Sequence, residues 1–317
     1  MNPAAPVLVT GASGYIGPFV LARLRDHGLA ARTLSRTPFA GSLRDIVAGD
    51  FTDRAQIAPA LQGARAVIHL AGRAHVFHEQ DADPAAAYRH ANTEVTLALG
   101  RAAKDAGVKR FVFMSTVKVY GECFAKALTE TDPTVPEDDY GRTKLAAEEG
   151  LKAICADGTM TYTIIRSPMV YGPNGKGNVR RLAKLVKTGL PLPLGSVRNR
   201  RSIVAVDNLA DILVRCAQDP NAANETFLVA DGAPISTPQM VRGIAAGLGA
   251  PARLLPFPPR LLEMAGRLTG KGQEVCRLTG SLEFDISHLK AQLGWQPVIS
   301  TEDALYQTGQ SFAGDAS

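Results

Sequence analysis

Cysteine is scarce in this 317-residue chain: Cys123, Cys155, Cys216 and Cys276 stand far apart, with no Cys-x-x-Cys pair. So few, so scattered, they exclude a disulfide framework or a zinc site and point to a reducing compartment. Aromatic residues are only 6% of the chain, and none falls between Tyr171 and Phe227. That gap bears on the basic segment 176–201, where Lys176, Arg180, Arg181, Lys184, Lys187, Arg198, Arg200 and Arg201 gather. Without rings for base stacking the segment is a poor nucleic-acid surface. It suits a phosphorylated small molecule better, with part of its charge a solvated helix face. Long apolar runs are missing as well; none approaches the ~20 residues of a membrane span. The first apolar run has no basic segment ahead of it and ends at Gly11, which argues against a secretory signal. No histidine pair has clear metal-ligand spacing with a third partner, so no metal is expected. These absences lead to the expectation of a cytoplasmic protein with no nucleic-acid partner and no membrane insertion.

What is present is material for a sizeable core: 45% hydrophobic residues against 21% charged. The first half alternates short apolar runs with helical patterns. The runs are 6–10, 31–35, 45–49, 66–71, 110–115 and 161–167. Runs apolar on both faces and separated by helices describe a parallel sheet covered on each side, hence a doubly wound α/β (Rossmann) domain. After Tyr171 the texture changes to Gly- and Pro-rich loops between helices. The strand-helix pattern 201–218 and the run 226–230 are expected to return to the sheet. The expected division is therefore 1–171 plus about 201–231 for the nucleotide-binding domain. A smaller, mainly helical lobe would comprise 172–200 plus 232–317. The leucines of the Pro-rich stretch 254–268 are read as a helix packed on a core rather than one lying on a membrane.

The octet "TGASGYIG" (10–17) follows the first strand and opens a helix. Gly11 allows the tight turn, Gly14 lets backbone approach a pyrophosphate, and Gly17 lets helix pack close to strand. The helix N-terminus then offers free N–H groups and a partial positive charge to the phosphates. At the end of the second strand an acid would bind the adenosine 2′-hydroxyl and repel a 2′-phosphate. This chain has Ser35 and Arg36 there, which favours NADP(H). Arg36 stacked on adenine would leave NAD(H) possible. Asp50 is a candidate acceptor for the adenine amino group, or a cap for the segment starting near Thr52.

In "YGRTK" (140–144) Tyr140 and Lys144 are four residues apart, on one face of a helix. A free phenol titrates near pH 10; an ammonium that lowered it by about three units would supply roughly 4 kcal/mol of differential interaction. In "MSTVKVYG" (114–121) two hydroxyls, Ser115 and Thr116, close an apolar run and could form the lip of the same site.

Taken together with "AGDFTD" (48–53), "HLAG" (69–72), Asn92, "RSPMVYGP" (166–173), "RRSIVAVDNLAD" (200–211) and "LGWQP" (293–297), these motifs give a resemblance that spans nearly the whole chain. The chain resembles the extended short-chain dehydrogenase/reductases, in their nucleotide-sugar epimerase, dehydratase and reductase group. The resemblance implies that Tyr140 exchanges a proton at a sugar hydroxyl or ketone. It implies that Lys144 holds the nicotinamide ribose and acidifies the phenol, and that Thr116 hydrogen-bonds the reacting oxygen. Ser115, Tyr15, Ile16, Phe51, Leu70, Ala71, Gly72, Asn92 and Pro168 would line the cofactor. Asn178, Val179, Arg201 and Arg277 would embrace a nucleoside diphosphate, although Arg201 could instead pair with Asp207 or Asp211. His75, with His78 nearby, would border the sugar. Where dehydratases of the group have an acid and a base after the threonine, this chain has Val117 and Lys118, so dehydration is not expected. Two activities share the remaining residues. One is reduction of a nucleotide-linked 4-keto-6-deoxyhexose in cell-surface polysaccharide synthesis. The other is 4-epimerisation of UDP-glucose or UDP-N-acetylglucosamine with tightly bound NAD. A non-catalytic NADP-sensing scaffold is a third reading, and the retained tyrosine and lysine speak against it. Relatives imply a homodimer built on the helices near 84–106 and 138–155.

Overall fold

The computed structural model describes residues 5–39, 41, 44–74, 83–122, 124 and 126–314. β1 (Val7–Thr10) leads through the glycine turn into α1 (Gly17–Asp26), then β2 (Ala31–Ser35), β3 (Asp45–Val47), α2 (Arg54–Leu61) and β4 (Ala66–His69). α3 (Pro84–Arg89) runs through a π-helical turn at His90–Glu94 into α4 (Val95–Asp105). β5 (Arg110–Thr116), α5 (Asp139–Ile154) and β6 (Thr161–Ser167) complete this half. Beyond it lie β7 (Met169–Tyr171), α6 (Asn178–Lys187), β8 (Ile203–Ala205), α7 (Val206–Cys216) and β9 (Glu225–Leu228). Five helices end the chain: α8 (Thr237–Leu248), α9 (Pro259–Leu268), α10 (Gly272–Thr279), α11 (Ser287–Leu293) and α12 (Thr301–Ala313).

Among the described residues seven strands form one parallel sheet, ordered β3-β2-β1-β4-β5-β6-β9. Side chains alternate across it, as strand periodicity requires. Val7, Val9 and Val112 enter the core on one face, with Leu24 of α1 and Leu213 of α7. Leu8, Phe111 and Phe113 enter the core on the other, with Ile57 of α2, Leu99 of α4 and Leu151 of α5. The order reverses between β1 and β4, and a crevice opens at the carboxyl ends of the strands at such a switch point. Both predicted site segments, the glycine turn after β1 and the hydroxyl pair ending β5, are at that edge.

Three expectations are corrected. β8 does not return to the main sheet; it pairs with β7 in a separate two-stranded sheet. The free edge of β6 is occupied by β9, and Pro168, which has no N–H, ends the β6 ladder ahead of β7. α9 does pack on a core, through Leu262, but not with its other leucines: Gly266 is its one buried residue, while Leu261, Met264 and Leu268 are exposed. Nor are the cysteines all thiols. Cys155 and Cys216 are free and buried, but Cys276 is disulfide-bonded. Among the described residues no helix is long and apolar enough to cross a membrane.

Candidate active site

The turn after β1 is built for close approach. Gly11 has φ +71°, and a Cβ there would stand 2.6 Å from the Ala71 backbone nitrogen. A Cβ on Gly17 would stand 2.1 Å from the Ala12 carbonyl oxygen, so only glycine lets α1 start here. α1 begins at Ile16 without a side-chain cap and without an acid in its first turn, which leaves its N–H groups to another acceptor. Tyr15 presents a buried hydroxyl with no hydrogen-bond partner, and burial, then the charge of Asp207, push its phenol up. An uncapped helix end, a glycine cradle and an orphaned hydroxyl together fit a dinucleotide pyrophosphate. Leu70, Ala71 and Gly72 extend β4 beside this turn, and Pro168 is buried after β6. Phe51 is instead a core residue, packed on the α2 side of the sheet.

At the adenosine end the structure supplies a carboxylate that the β2 sequence did not. The Ser35 hydroxyl donates to Asp45 (2.8 Å), which also accepts from the Thr33 hydroxyl (2.7 Å) and the Phe39 N–H (2.9 Å). The β2–β3 register, Thr33 opposite Asp45, brings the acid to the strand end. Ser35 is therefore engaged by an acid rather than open to a phosphate, and Arg36 is exposed beside it. The buried hydroxyls Thr33 and Ser35, two apart on an apolar strand, were the available signal, because buried donors need an acceptor. Asp50 accepts from the N–H and hydroxyl of Thr52 (both 2.7 Å), bonds that lower its carboxyl, and the cap of α2 is Asp53.

The chemical end sits where α5 meets the end of β5. Asp138 caps α5, accepting from the Gly141 N–H (2.7 Å). A Cβ on Gly141 would stand 2.6 Å from the Lys118 carbonyl oxygen, so glycine lets the first turn of α5 press against the segment after Thr116. That contact sets half-buried Tyr140 within hydrogen-bonding reach of the Thr116 hydroxyl. Lys144, one turn on, is buried; its Nζ donates to the Met114 carbonyl (2.7 Å) and lies 4.4 Å from the Phe113 ring centre. Asn92 is buried in the π-helical turn, its Oδ1 accepting from the Arg73 N–H (2.8 Å) and its Nδ2 donating to the Arg73 carbonyl (3.0 Å). Gly72 separates Asn92 from Lys144, since a Cβ there would be 2.8 Å from Asn92 Oδ1 and 3.5 Å from Lys144 Nζ. Thr116, Tyr140, Lys144, Asn92 and Gly72 thus converge.

The electrostatics differ from the sequence expectation. Burial pushes the Tyr140 phenol up to about 12; the Thr116 hydrogen bond opposes this, and Asp138 and Tyr88 add to it. Burial pulls the Lys144 ammonium down to about 7, opposed by Glu148. The ammonium donates to the Met114 carbonyl, and desolvation raises the phenol and lowers the ammonium.

Ser115 does not face a cofactor. Its hydroxyl donates to Glu148 on α5, and Glu148 is paired with Arg166 (2.7 Å) in the sheet interior. His69 is a residue that motif reading passed over. It is fully buried, and burial, then the charge of Lys144, hold it neutral, down at about 3. Its Nδ1 is 2.6 Å from the Thr10 hydroxyl and its Nε2 3.0 Å from the Thr96 hydroxyl. Thr96 donates onward to the Asn92 carbonyl (2.6 Å), which leaves Nε2 as the protonated nitrogen. A neutral histidine so ties the glycine turn to the π-helical turn.

At the substrate end Arg201 and Arg277 come together around Glu122. Arg277 donates to both Glu122 oxygens (3.0 and 3.3 Å), and the charges of Glu122 and Arg277 both act on Arg201. Arg201 donates to the Gly280 carbonyl (3.0 Å), and Asp211 is held by Arg23 and Trp295. Lys118 bridges Glu122 (3.1 Å) to Asp138. Asn178 is exposed at the start of α6, but the Val179 side chain is buried with Tyr171 and Ala183, which removes it from any ligand surface. His75 and His78 lie outside the described residues.

A family model, the NAD dependent epimerase/dehydratase family, matches residues 7–230, and the chain belongs to that family. Over 312 residues it is 40% identical to the UDP-glucose 4-epimerase of Vibrio cholerae, covering 96% of this chain and 95% of that protein. Among solved structures, MoeE5 in complex with UDP-glucose and NAD aligns with a TM-score of 0.76 at 25% identity, over 96% of this chain and 98% of that one. The UDP-N-acetylglucosamine 4-epimerase from Bacillus cereus shares the fold, with a TM-score of 0.80 at 19% identity over 98% of this chain and 100% of that one.

Proposed function

We propose that this protein exchanges a hydride and a proton at C4 of a nucleotide-diphosphate sugar, as an NAD-dependent 4-epimerase of a UDP-hexose. The convergence of Thr116, Tyr140, Lys144 and Asn92 beside an uncapped helix N-terminus carries the reading. Bound nicotinamide dinucleotide would supply the hydride acceptor and donor. Gly11, Gly14, Gly17 and the first turn of α1 would hold its pyrophosphate. Tyr140, hydrogen-bonded to Thr116, would take the proton of the C4 hydroxyl as hydride leaves C4 and return it when hydride comes back, and Thr116 keeps the hydroxyl directed. Lys144 ties α5 to the end of β5 through the Met114 carbonyl, and Asn92 ties the segment after β4 to α5 through Arg73 and the Thr143 hydroxyl. Arg201 and Arg277 are suited to a diphosphate, whose charge would compete with Glu122 for the guanidinium of Arg277.

Two observations support chemistry confined to one carbon and to NAD. Val117 is buried and Lys118 is taken up by Asp138 and Glu122, so no acid-base pair for dehydration flanks Thr116. Asp45 on Ser35 disfavours a 2′-phosphate, and the 40% identical relative is a UDP-glucose 4-epimerase. A second reading, NADPH-dependent reduction of a nucleotide-linked 4-keto-6-deoxyhexose for cell-surface polysaccharide, is favoured by the exposed Arg36 at the end of β2. The test is incubation of the purified protein with UDP-galactose and no added cofactor. Formation of UDP-glucose supports the epimerase. No conversion, with NADPH consumed by a 4-keto sugar nucleotide, supports the reductase and refutes the first reading.

A further inference from the structure

Segments 172–200 and 232–281 carry thirteen Lys and Arg against two Asp and Glu, in a chain whose net charge is only +5. Among the described residues the same segments hold seven of the eleven exposed large hydrophobic side chains: Leu185, Leu190, Leu255, Leu261, Met264, Leu268 and Leu278. The two properties meet on α9 and α6. On α9 the inward side is fixed by two contacts. Leu262 packs into the cluster of Val186, Leu192 and Val241, and Gly266 backs onto Val275 of α10, where a Cβ would stand 2.6 Å from that side chain. Leu261, Met264 and Leu268, spaced i, i+3 and i+7, therefore form the outward stripe, and they are 45%, 55% and 82% exposed. Arg260 and Arg267, also seven apart, run along one margin of the stripe, and Lys271 follows it; all three are exposed. On α6, Val179, Ala183 and Val186 are buried, while Arg180, Arg181, Lys184 and Leu185 are on the outer surface. Leu182 and Val186 of α6 share a core cluster with Leu262 of α9, so both helices wall the same part of the molecule.

An apolar stripe with a basic margin on the outside of a helix is the pattern that lies in a lipid headgroup layer. The geometry points to peripheral docking of this face on an anionic bilayer. Leu261, Met264 and Leu268 would enter the acyl boundary, with the arginines of α9 and the basic surface of α6 on the headgroups. A second copy placed face to face would bring two strongly cationic surfaces together and is disfavoured. A nucleic acid would leave the apolar stripe without a partner, and the basic stretch 172–200 has no aromatic ring for stacking. The bilayer answers both the charge and the apolar surface. This inference does not rest on the sugar chemistry.

The test is co-sedimentation of the full chain with phosphatidylcholine vesicles, with and without phosphatidylglycerol. Binding is expected to the anionic vesicles, weakening as salt is raised. Leu268→Ser, at the most exposed site, should weaken partition by about tenfold, and Leu261→Ser with Leu268→Ser by more. Arg260→Gln with Arg267→Gln should weaken binding and flatten its salt dependence. Each variant should melt as the wild type does and retain NAD binding. Absence of binding to anionic vesicles at low salt, or variants that bind like the wild type, would overturn the proposal. So would an oligomer in solution that the leucine variants dissolve, since the stripe would then be a protein interface. Loss of sugar turnover in the wild type would refute the proposed function and leave the vesicle result standing.

Discussion

Replacing Glu148 by Gln should cost this protein a large part of its stability. Glu148 is fully buried, and Arg166 beside it is 4% exposed. The pair is held at 2.7 Å from Nη2 and at 3.2 Å from Nε, and Glu148 also takes the Ser115 hydroxyl. With the carboxylate neutralised, Arg166 keeps the Tyr120 hydroxyl and the Glu130 carbonyl as polar neighbours and no counter-charge. Breaking one side of a buried ion pair costs about 3–5 kcal/mol, against a whole-domain stability of about 5–15 kcal/mol. Removing both charges is a different perturbation: Glu148→Gln with Arg166→Met should recover most of the loss, since no unpaired ion is left. Urea unfolding followed by the fluorescence of buried Trp295, applied to both variants and to Arg166→Met alone, yields the coupling energy. Glu148 also raises Lys144, so the single variant should move the ammonium further down and shift the pH dependence of turnover. If Glu148→Gln costs under about 1 kcal/mol, or if the double variant shows no recovery, the pair does not hold β5, β6 and α5 together as described.

Three further outcomes follow from the site. Tyr140→Phe should lower turnover by about 10²- to 10⁴-fold while leaving the urea midpoint unchanged; a loss under tenfold would remove the phenol from the reaction. His69 is held at about 3 in the fold against 6.5 when free, so between those values the unfolded chain binds the extra proton. Stability should therefore fall as pH drops from about 6.5 toward 3, by up to about 1.4 kcal/mol per pH unit from this group. His69→Gln should flatten that slope in urea titrations at pH 5 to 7, and an unchanged slope refutes the assignment. Asp45→Asn should bring the dissociation constants of NAD and NADP closer by about tenfold or more, as measured by calorimetry. An unaltered ratio would show that the carboxylate only braces the loop after β2.

The doubly wound half was legible before any coordinates because its signals are local. Val7–Val9 and Phe111–Phe113 have the apolar continuity of covered strands, Gly17 is demanded by a backbone contact within its own strand-turn-helix unit, and Gly11 by the positive φ of its turn. Tyr140 and Lys144 share a face because helical spacing alone puts them there, and Thr116 belongs to the strand that α5 packs against. These features concern residues close in the chain, so the amino-acid order determined them. What the order left open was settled by register and by competition for partners. Asp45 reached the cofactor end through the pairing of β3 with β2, ten residues away from Ser35. Ser115 turned to Glu148 because a buried ion pair with Arg166 needed the remaining acceptor satisfied. Burial pulled Lys144 down and pushed Tyr140 up because desolvation depends on everything packed around each group. β8 lost its place in the main sheet to β9, and the leucines of α9, spaced like any core helix, faced outward because Leu262 and Gly266 had taken the inward side. Periodicity tells which residues share a face; only the tertiary packing decides which face meets the interior and which charge stands opposite which.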